Sequence, residues 1–255
     1  MKIGIIGAGV VGNAVATGLN HKGHEILVYD KIIEKSKNTI KEIKQTELVF
    51  ICVPTPNTDD GIDLSFIEDS LKNLKDYKGV VAIKSTIPPG TLDYLKGKFD
   101  LRLVHCPEFL KENSALEDFL NLDRVIIGSY NREDAEIVVK AHKGFNARVF
   151  VTKPRVAESI KLFINGFLAT KVIFANEFKA YCDKKDIDYN EVLKGVLLDE
   201  RIGKSHLLVT KEGGYGGKCF PKDVRNLISS ANEAGVKLNL LETADKINQK
   251  IRGEI

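Results

Sequence analysis

Short apolar runs alternate with amphipathic stretches through the first half of the chain. Lys2–Ile6, Glu25–Tyr29, Leu48–Val53, Val80–Ile83, Leu101–His105, Val125–Ile127 and Arg148–Val151 are rich in aliphatic and β-branched residues, and most run without polar interruption. A strand buried on both faces needs apolar side chains at consecutive positions, so these runs predict a parallel sheet covered on either side. Between them Val10–His21, Leu64–Leu74 and Arg132–His142 repeat apolar residues at helical spacing. Strands alternating with helices predict a doubly wound α/β domain over residues 1–152.

Beyond Lys153 the pattern changes class. Pro154 opens an unbroken helical pattern to about Asp183, with apolar residues at Ile160, Phe163, Ile164, Phe167, Leu168 and Val172. Further helical stretches lie near Tyr189–Leu198, Asp223–Ala234 and Leu240–Ile251. Residues 153–255 are therefore expected to form an all-α domain around one long central helix. The boundary is a change of class and not a flexible linker, and there is no internal repeat.

Composition narrows the function. The 255 residues carry 38 basic and 35 acidic side chains, a net charge of +3, interspersed along the chain. A nucleic-acid partner is not expected, because its binders concentrate basic residues. No apolar run has the length of a membrane span, and the N-terminal Met1–Gly9 stretch reads as a buried strand entering a turn, without a cleavage-like site. Cys52, Cys106, Cys182 and Cys219 are dispersed without metal-ligand spacing, so neither a disulfide framework nor a metal site is expected. Reduced thiols fit the cytoplasm.

Gly7-Ala-Gly9-Val-Val-Gly12 follows one expected strand directly and opens an expected helix. There the first glycine makes a tight turn, the second lets the backbone approach a pyrophosphate, and the third permits close helix–strand packing. Asp30 ends the second strand, where an acid would bind the adenosine ribose hydroxyls. The first domain thus reads as Rossmann-like, with NAD favoured over NADP because a carboxylate repels a 2′-phosphate. Lys31 and Lys35 nearby pull the other way.

The segment Gly213-Gly-Tyr-Gly-Gly-Lys-Cys-Phe-Pro-Lys-Asp223 carries the second chemistry. Pro221 is tolerated in a first helical turn, so Cys219 is expected at a helix N-terminus, where the dipole favours thiolate. Asp223 follows one turn later. A lone cysteine is also a common small core residue, but the glycines, Pro221 and Asp223 favour a reactive thiol. Lys161 and Asn165, four apart on the long helix, share a face. They read either as a solvated stripe or as an ammonium and an amide aimed at a developing oxyanion. Glu108 and Glu112 have the same spacing and, taken alone, read as surface charge. His105 and His206 have no partner pattern and are taken as structural.

Together these motifs resemble the UDP-glucose/GDP-mannose dehydrogenases, NAD-dependent enzymes that oxidise a nucleotide sugar to its uronic acid. The matching residues are Gly7–Gly12 with Asp30, Val53-Pro-Thr-Pro56, Lys84-Ser-Thr-Ile-Pro-Pro-Gly-Thr91 and Pro107-Glu-Phe-Leu-Lys-Glu112. They continue with Glu158 through Lys161 to Asn165, Arg201-Ile-Gly203 and Gly214–Asp223, in the family's order over nearly the whole chain.

The resemblance implies roles position by position. Cys219 would be the nucleophile, Lys161 and Asn165 would contact the substrate and stabilise its oxyanion, and Asp223 would help position and activate water. Thr86 and Glu112 would act near that water and near the cofactor. Glu108, Phe109 and Leu110 would line the sugar pocket, Gly216 would approach the substrate backbone-first, and Arg201 would reach the substrate of a neighbouring subunit. NAD would rest on Gly7, Gly9, Val10, Val11 and Gly12, with Asp30, Lys35, Val53 and Thr55 along its length.

The implied reaction is a two-step oxidation through a cysteine-bound thiohemiacetal and thioester, UDP-glucose to UDP-glucuronate. Two other readings remain: a single hydride transfer on a smaller hydroxy acid, and a non-catalytic NAD-binding dimerisation module. The family's C-terminal α/β domain, which holds the nucleotide, has no counterpart up to Ile255, and Lys204–Glu212 lacks the polar and aromatic pattern that often holds the sugar. The stretch between Asp30 and Val53 is also short. A separate chain supplying the nucleotide-binding part is one expected partner. A homodimer through the long apolar helix is another.

Overall fold

The apolar runs form strands, and for most of them the alternation of side chains between two buried faces explains why they carry so few polar residues; the run Arg148–Thr152 at the sheet edge is the exception, with Val149, Phe150 and Val151 exposed. The computed structural model describes residues 1–58, 61–217 and 219–255. In chain order the strands are β1 (Lys2–Ile6), β2 (Glu25–Tyr29), β3 (Leu48–Ile51), β4 (Asn57–Thr58), β5 (Gly61–Ile62), β6 (Val80–Ile83), β7 (Arg102–His105), β8 (Arg124–Gly128) and β9 (Arg148–Thr152). The helices are α1 (Val10–His21), α2 (Ile40–Ile43), α3 (Ser65–Asn73), α4 (Thr91–Lys98), α5 (Ala115–Leu120), α6 (Arg132–Ala141), α7 (Pro154–Lys184), α8 (Tyr189–Val196), α9 (Phe220–Glu233) and α10 (Asn239–Arg252). Two compact units divide the chain, Met1–Lys161 and Leu162–Ile255.

The first unit is built on one sheet in the order β2-β1-β3-β6-β7-β8-β9, while β4 and β5 pair separately as a hairpin. Ile3, Ile5, Leu48 and Phe50 point into one core with Val15 and Leu19 of α1. Their neighbours Ile6, Val49 and Ile51 point into the other, with Ile67 and Leu71 of α3 and Leu92 and Leu95 of α4. Gly18 lets α1 meet α5, since a Cβ there would collide with the Phe119 ring. The chain runs outward from β1 in both directions, so the strand order reverses between β1 and β3. Doubly wound sheets bind ligands at the strand ends beside such a reversal.

The sheet departs from the expected parallel pattern at one junction. β8 pairs antiparallel to β7 through His105 and Gly128, and β9 is parallel to β8. The segment between β7 and β8 returns the chain at the same end of the sheet, so no crossover is needed.

The second unit is helical. Ala169, Ile173, Tyr215, Val224, Leu241 and Ala244 form one core cluster, and Ala175, Cys182, Tyr189, Leu193 and Leu207 form another. The aromatic side chains of α7 lie outside both. Phe163, Phe167, Phe174, Phe178 and Tyr181 are exposed, with Phe163 stacked on Phe167 and Phe174 on Phe178. Among the described residues no helix is long and apolar enough to cross a membrane.

Candidate functional site

The glycine-rich turn after β1 has the geometry its sequence demands. Gly7 has φ +98°, and a Cβ on it would lie 2.6 Å from the Cys52 carbonyl oxygen. A Cβ on Gly12 would collide with the Gly7 carbonyl oxygen. Both glycines are thus fixed by the protein's own backbone. Gly9 is different: a Cβ there would meet no protein atom within 4 Å. Internal packing does not require the small residue at this position, whereas a ligand approaching the backbone closely would. Gly9 is also the N-cap of α1, which has no side-chain cap and no acidic residue in its first turn. Exposed Val10 and half-buried Val11 therefore begin a helix whose first N–H groups and dipole suit an anion. These features fit the pyrophosphate of a dinucleotide.

Asp30 stands at the end of β2. Its Oδ2 accepts from the Ala8 N–H at 2.6 Å and its Oδ1 from the Ile32 N–H at 2.8 Å. The carboxylate thus pins the glycine turn, and each oxygen keeps lone-pair capacity for a ribose hydroxyl. Lys35 ends a single 3-10 turn, Ile33–Lys35, and is exposed.

Two loops at the strand ends are tied together. Ser85 Oγ donates to the Val53 carbonyl at 2.6 Å, and Thr55 Oγ1 donates to the Thr86 carbonyl at 3.0 Å. Thr55, Ser85 and Thr86 are buried and Val53 is half-buried. Lys84, 3% exposed, anchors the same loop to the end of β7 by donating to the Cys106 carbonyl at 3.1 Å. His105 is fully buried with Nε2 at 3.4 Å from the Ser85 carbonyl. Burial, and the positive charges of Lys84 and Lys161, push its imidazole down to about 3 and keep it neutral. Burial likewise raises the half-buried Cys52 thiol to about 12, which keeps it protonated.

Glu108 and Lys161 are not surface charge. Lys161 Nζ lies 3.4 Å from Glu108 Oε1, with side-chain exposures of 4% and 10%. The ammonium also sits over the Phe109 ring, 5.3 Å from its centroid. The other oxygen of Glu108 accepts from the Leu110 N–H. Glu112 is exposed in the 3-10 turn Glu112–Ser114, one turn beyond this cluster.

In the second unit Cys219 is the N-cap of α9, its side chain exposed, with proline in the first turn. The Asp223 N–H donates to the Cys219 carbonyl at 2.8 Å. Asp223 itself is 1% exposed. Its Oδ2 accepts from Asn165 Nδ2 at 2.6 Å and its Oδ1 from Lys222 Nζ at 2.6 Å. A carboxylate only accepts, so it fixes the Asn165 amide with its nitrogen inward and leaves the second N–H to donate elsewhere. Asn165 and Lys161 are both on the buried side of α7, which excludes the solvated-stripe reading.

The bend before Cys219 is shaped by side chains. Asn176 Oδ1 accepts from the Gly214 N–H at 3.0 Å and Asn248 Oδ1 from the Tyr215 N–H at 2.6 Å. Buried Tyr215 donates its hydroxyl to Asp245. Gly216 is exposed at the tip, and Lys218 of the motif lies outside the described residues. Asn176 and Asn248 carried no sequence signal beyond being amides on helices. Arg201 is exposed and folded onto Asp199, which holds its guanidinium charged.

Residues 32–146 match the model of the UDP-glucose/GDP-mannose dehydrogenase family NAD binding domain, and residues 155–250 match its central domain. UDP-glucose 6-dehydrogenase TuaD of Bacillus subtilis is 36% identical over 89% of this chain and 52% of its own length. A UDP-glucose 6-dehydrogenase of Rickettsia bellii is 32% identical over 98% of this chain and 67% of its own. The solved UDP-glucose dehydrogenase of Pyrobaculum islandicum superposes with a TM-score of 0.89 at 28% identity, over 98% of this chain and 68% of that one. The chain thus spans between about half and two thirds of the length of these proteins.

Proposed function

We propose a function from one premise: this chain belongs to the UDP-glucose/GDP-mannose dehydrogenase family. The reading is an NAD-dependent, four-electron oxidation of a nucleotide sugar at its C6 alcohol to the uronic acid, with UDP-glucose the first substrate to try. The observation that carries it is an exposed thiol at the N-cap of α9, one turn before a buried carboxylate that orients Asn165.

The cofactor's chemistry is acceptance of one hydride per oxidation, twice per sugar. The first oxidation turns the alcohol into an aldehyde and releases the hydroxyl proton. Cys219 Sγ, as thiolate favoured by the helix terminus, adds to the aldehyde carbon, and the oxygen takes a proton to give a thiohemiacetal. Loss of hydride from that carbon and of the proton from its oxygen leaves a thioester on Sγ. Water then breaks the C–S bond, giving the carboxylate and returning the thiolate. Holding the aldehyde covalently prevents its escape between oxidations.

Lys161 and Asn165 donate to the substrate oxygen as it becomes an oxyanion, the stage at which fixed donors contribute most. Asp223 serves first by fixing the direction of the Asn165 amide. Thr86 and Glu112 act on the hydrolytic water, and Glu108, Phe109 and Leu110 contact the sugar. Gly216 approaches the substrate through its backbone, and Arg201 reaches across to a neighbouring subunit. That subunit is a second copy docked on the aromatic stripe of α7, which leaves five large rings exposed in one chain. A monomer at micromolar concentration would remove the dimer from this reading.

The test is a panel of nucleotide sugars with NAD, following NADH release and identifying the product. The expected outcome is a uronic acid from at least one sugar. Absence of turnover across the panel favours the non-catalytic module instead.

A further inference from the structure

Glu158 is fully buried, is an ionisable group the proposed chemistry does not use, and joins two distant pieces of chain. Its Oε2 accepts from the Gly90 N–H at 2.7 Å and its Oε1 from the Leu92 N–H at 2.8 Å. Gly90 is the N-cap of α4, in the left-handed region at φ +95°, and has no side chain with which to cap that helix. Glu158 on α7 therefore supplies from a distance the cap that the local sequence lacks. The segment from Lys84 to Thr91 is held at its start by the Ser85–Val53 and Thr55–Thr86 bonds and at its end by Glu158. Thr86 lies between these anchors. Lys161 stands three residues beyond Glu158 on the same helix, within the same unit.

We propose that Glu158 is a positioning residue, whose two-oxygen cap on α4 holds the Thr86 segment in register with the stretch of α7 that carries Lys161. This rests on the functional reading above for what Thr86 and Lys161 do, but the register itself is a property of the fold. The ionisable groups around Glu158 are Asp93 on α4, Arg155 on α7 and Tyr130 after β8, with Asp93 accepting from both of the others at 2.6 Å. Burial outweighs the two N–H bonds and pushes the Glu158 carboxyl up to about 7. Protonation would turn one acceptor oxygen into a donor facing an N–H, so the cap weakens as pH falls through about 7. Linkage runs the opposite way for global stability. A folded-state pKa above the usual carboxylate value gives a contribution that is present at acid pH and lost as pH rises through about 7.

Glu158→Gln keeps the shape and replaces one acceptor by a donor. Its kcat should fall about tenfold with KM for sugar and NAD changed less than twofold, a split that marks an effect on the reacting geometry. The acid-side inflection of wild-type kcat near pH 7 should be absent in the variant. In a Thr86→Ala background the same substitution should cost less than twofold, because its route of action is gone. Wild-type kcat in Glu158→Gln, or an undiminished effect beside Thr86→Ala, would overturn the proposal.

Should the variant fail to fold, the wild-type protein decides. Between pH 8 and pH 6 the protection of the Leu92 amide, corrected for intrinsic exchange, should fall about tenfold while the Thr86 resonance shifts. Constant protection and an unmoved Thr86 resonance contradict the proposal. The same two readouts stand if no nucleotide sugar turns over, a result that would sink the functional reading alone.

Discussion

Two glycine-rich bends lead into helices in this chain, and they are held by different means. In the bend from Gly7 to Gly12 the backbone itself demands glycine, since side chains at Gly7 and Gly12 would strike carbonyl groups. In the bend from Gly213 to Gly217 the crowding comes from side chains, Ile251 beside Gly213 and Asn248 beside Gly214. The first bend delivers bare N–H groups at an uncapped helix start. The second delivers a thiol. An anion site needs only backbone, whereas the proposed nucleophile would have to be aimed, and the residues placed to do it are Asn176, Asn248 and the Asn165–Asp223 pair. The first bend is held mainly by neighbouring backbone and by the Asp30 carboxylate at the end of β2, and the second by side chains of helices remote in the chain.

The sharpest break in this comparison is expected at the thiol. Cys219→Ser should lower acid formation roughly a thousandfold or more, as loss of a covalent nucleophile does. NAD affinity, which belongs to the other bend, should stay within about twofold. Unchanged uronate production would show the covalent step to be misassigned.

A paired alanine substitution compares the bends directly. Gly12→Ala forces a methyl into the Gly7 carbonyl and should cost about 3 kcal/mol and abolish measurable NAD binding. Gly217→Ala meets no atom within 4 Å and has only its φ of +75° to overcome, so about 1–2 kcal/mol is expected. Denaturant melts and NAD titration read both. Equal losses would remove the distinction between a glycine blocked by a carbonyl group and one held only by its left-handed backbone angle.

The smallest effect is expected from Asn248→Ala, which strips the acceptor from the buried Tyr215 N–H. It should cost about 1–2 kcal/mol and alter the alkylation rate of Cys219 several-fold, while NAD binding is unaffected. An unchanged alkylation rate would mean that the bend aims the thiol without this clamp.

Most strands were legible because burial on both sheet faces leaves an apolar run that can be read without knowing the fold; β9 shows the same run although it is exposed at the sheet edge. The apolar pattern over Leu48–Val53 runs two residues past the strand: it continues into Val53, but the ladder ends at Ile51 and the loop turns to meet Ser85. α4 gave little signal because it is short, begins at a left-handed glycine and takes its cap from Glu158, far away in sequence. α5 and the β4–β5 hairpin are too short to show a period. The length of α7 was legible, but its buried side was not. Periodicity reveals that a helix has faces without saying which one turns inward, and here Lys161 and Asn165 are buried while Phe163 and Phe167 are exposed. Spacing placed Lys161 and Asn165 on one face of the helix and Asp223 one turn after Cys219, and only the fold showed that Asp223 spends its oxygens on Asn165 and Lys222.

In the proposed function one thiol carries a sugar through two successive oxidations. The most direct measurement is the number of NADH molecules released per sugar consumed by the wild-type chain, with the product identified by mass. The account predicts two NADH and a uronic acid. One NADH per sugar, with the aldehyde as end product, would contradict it.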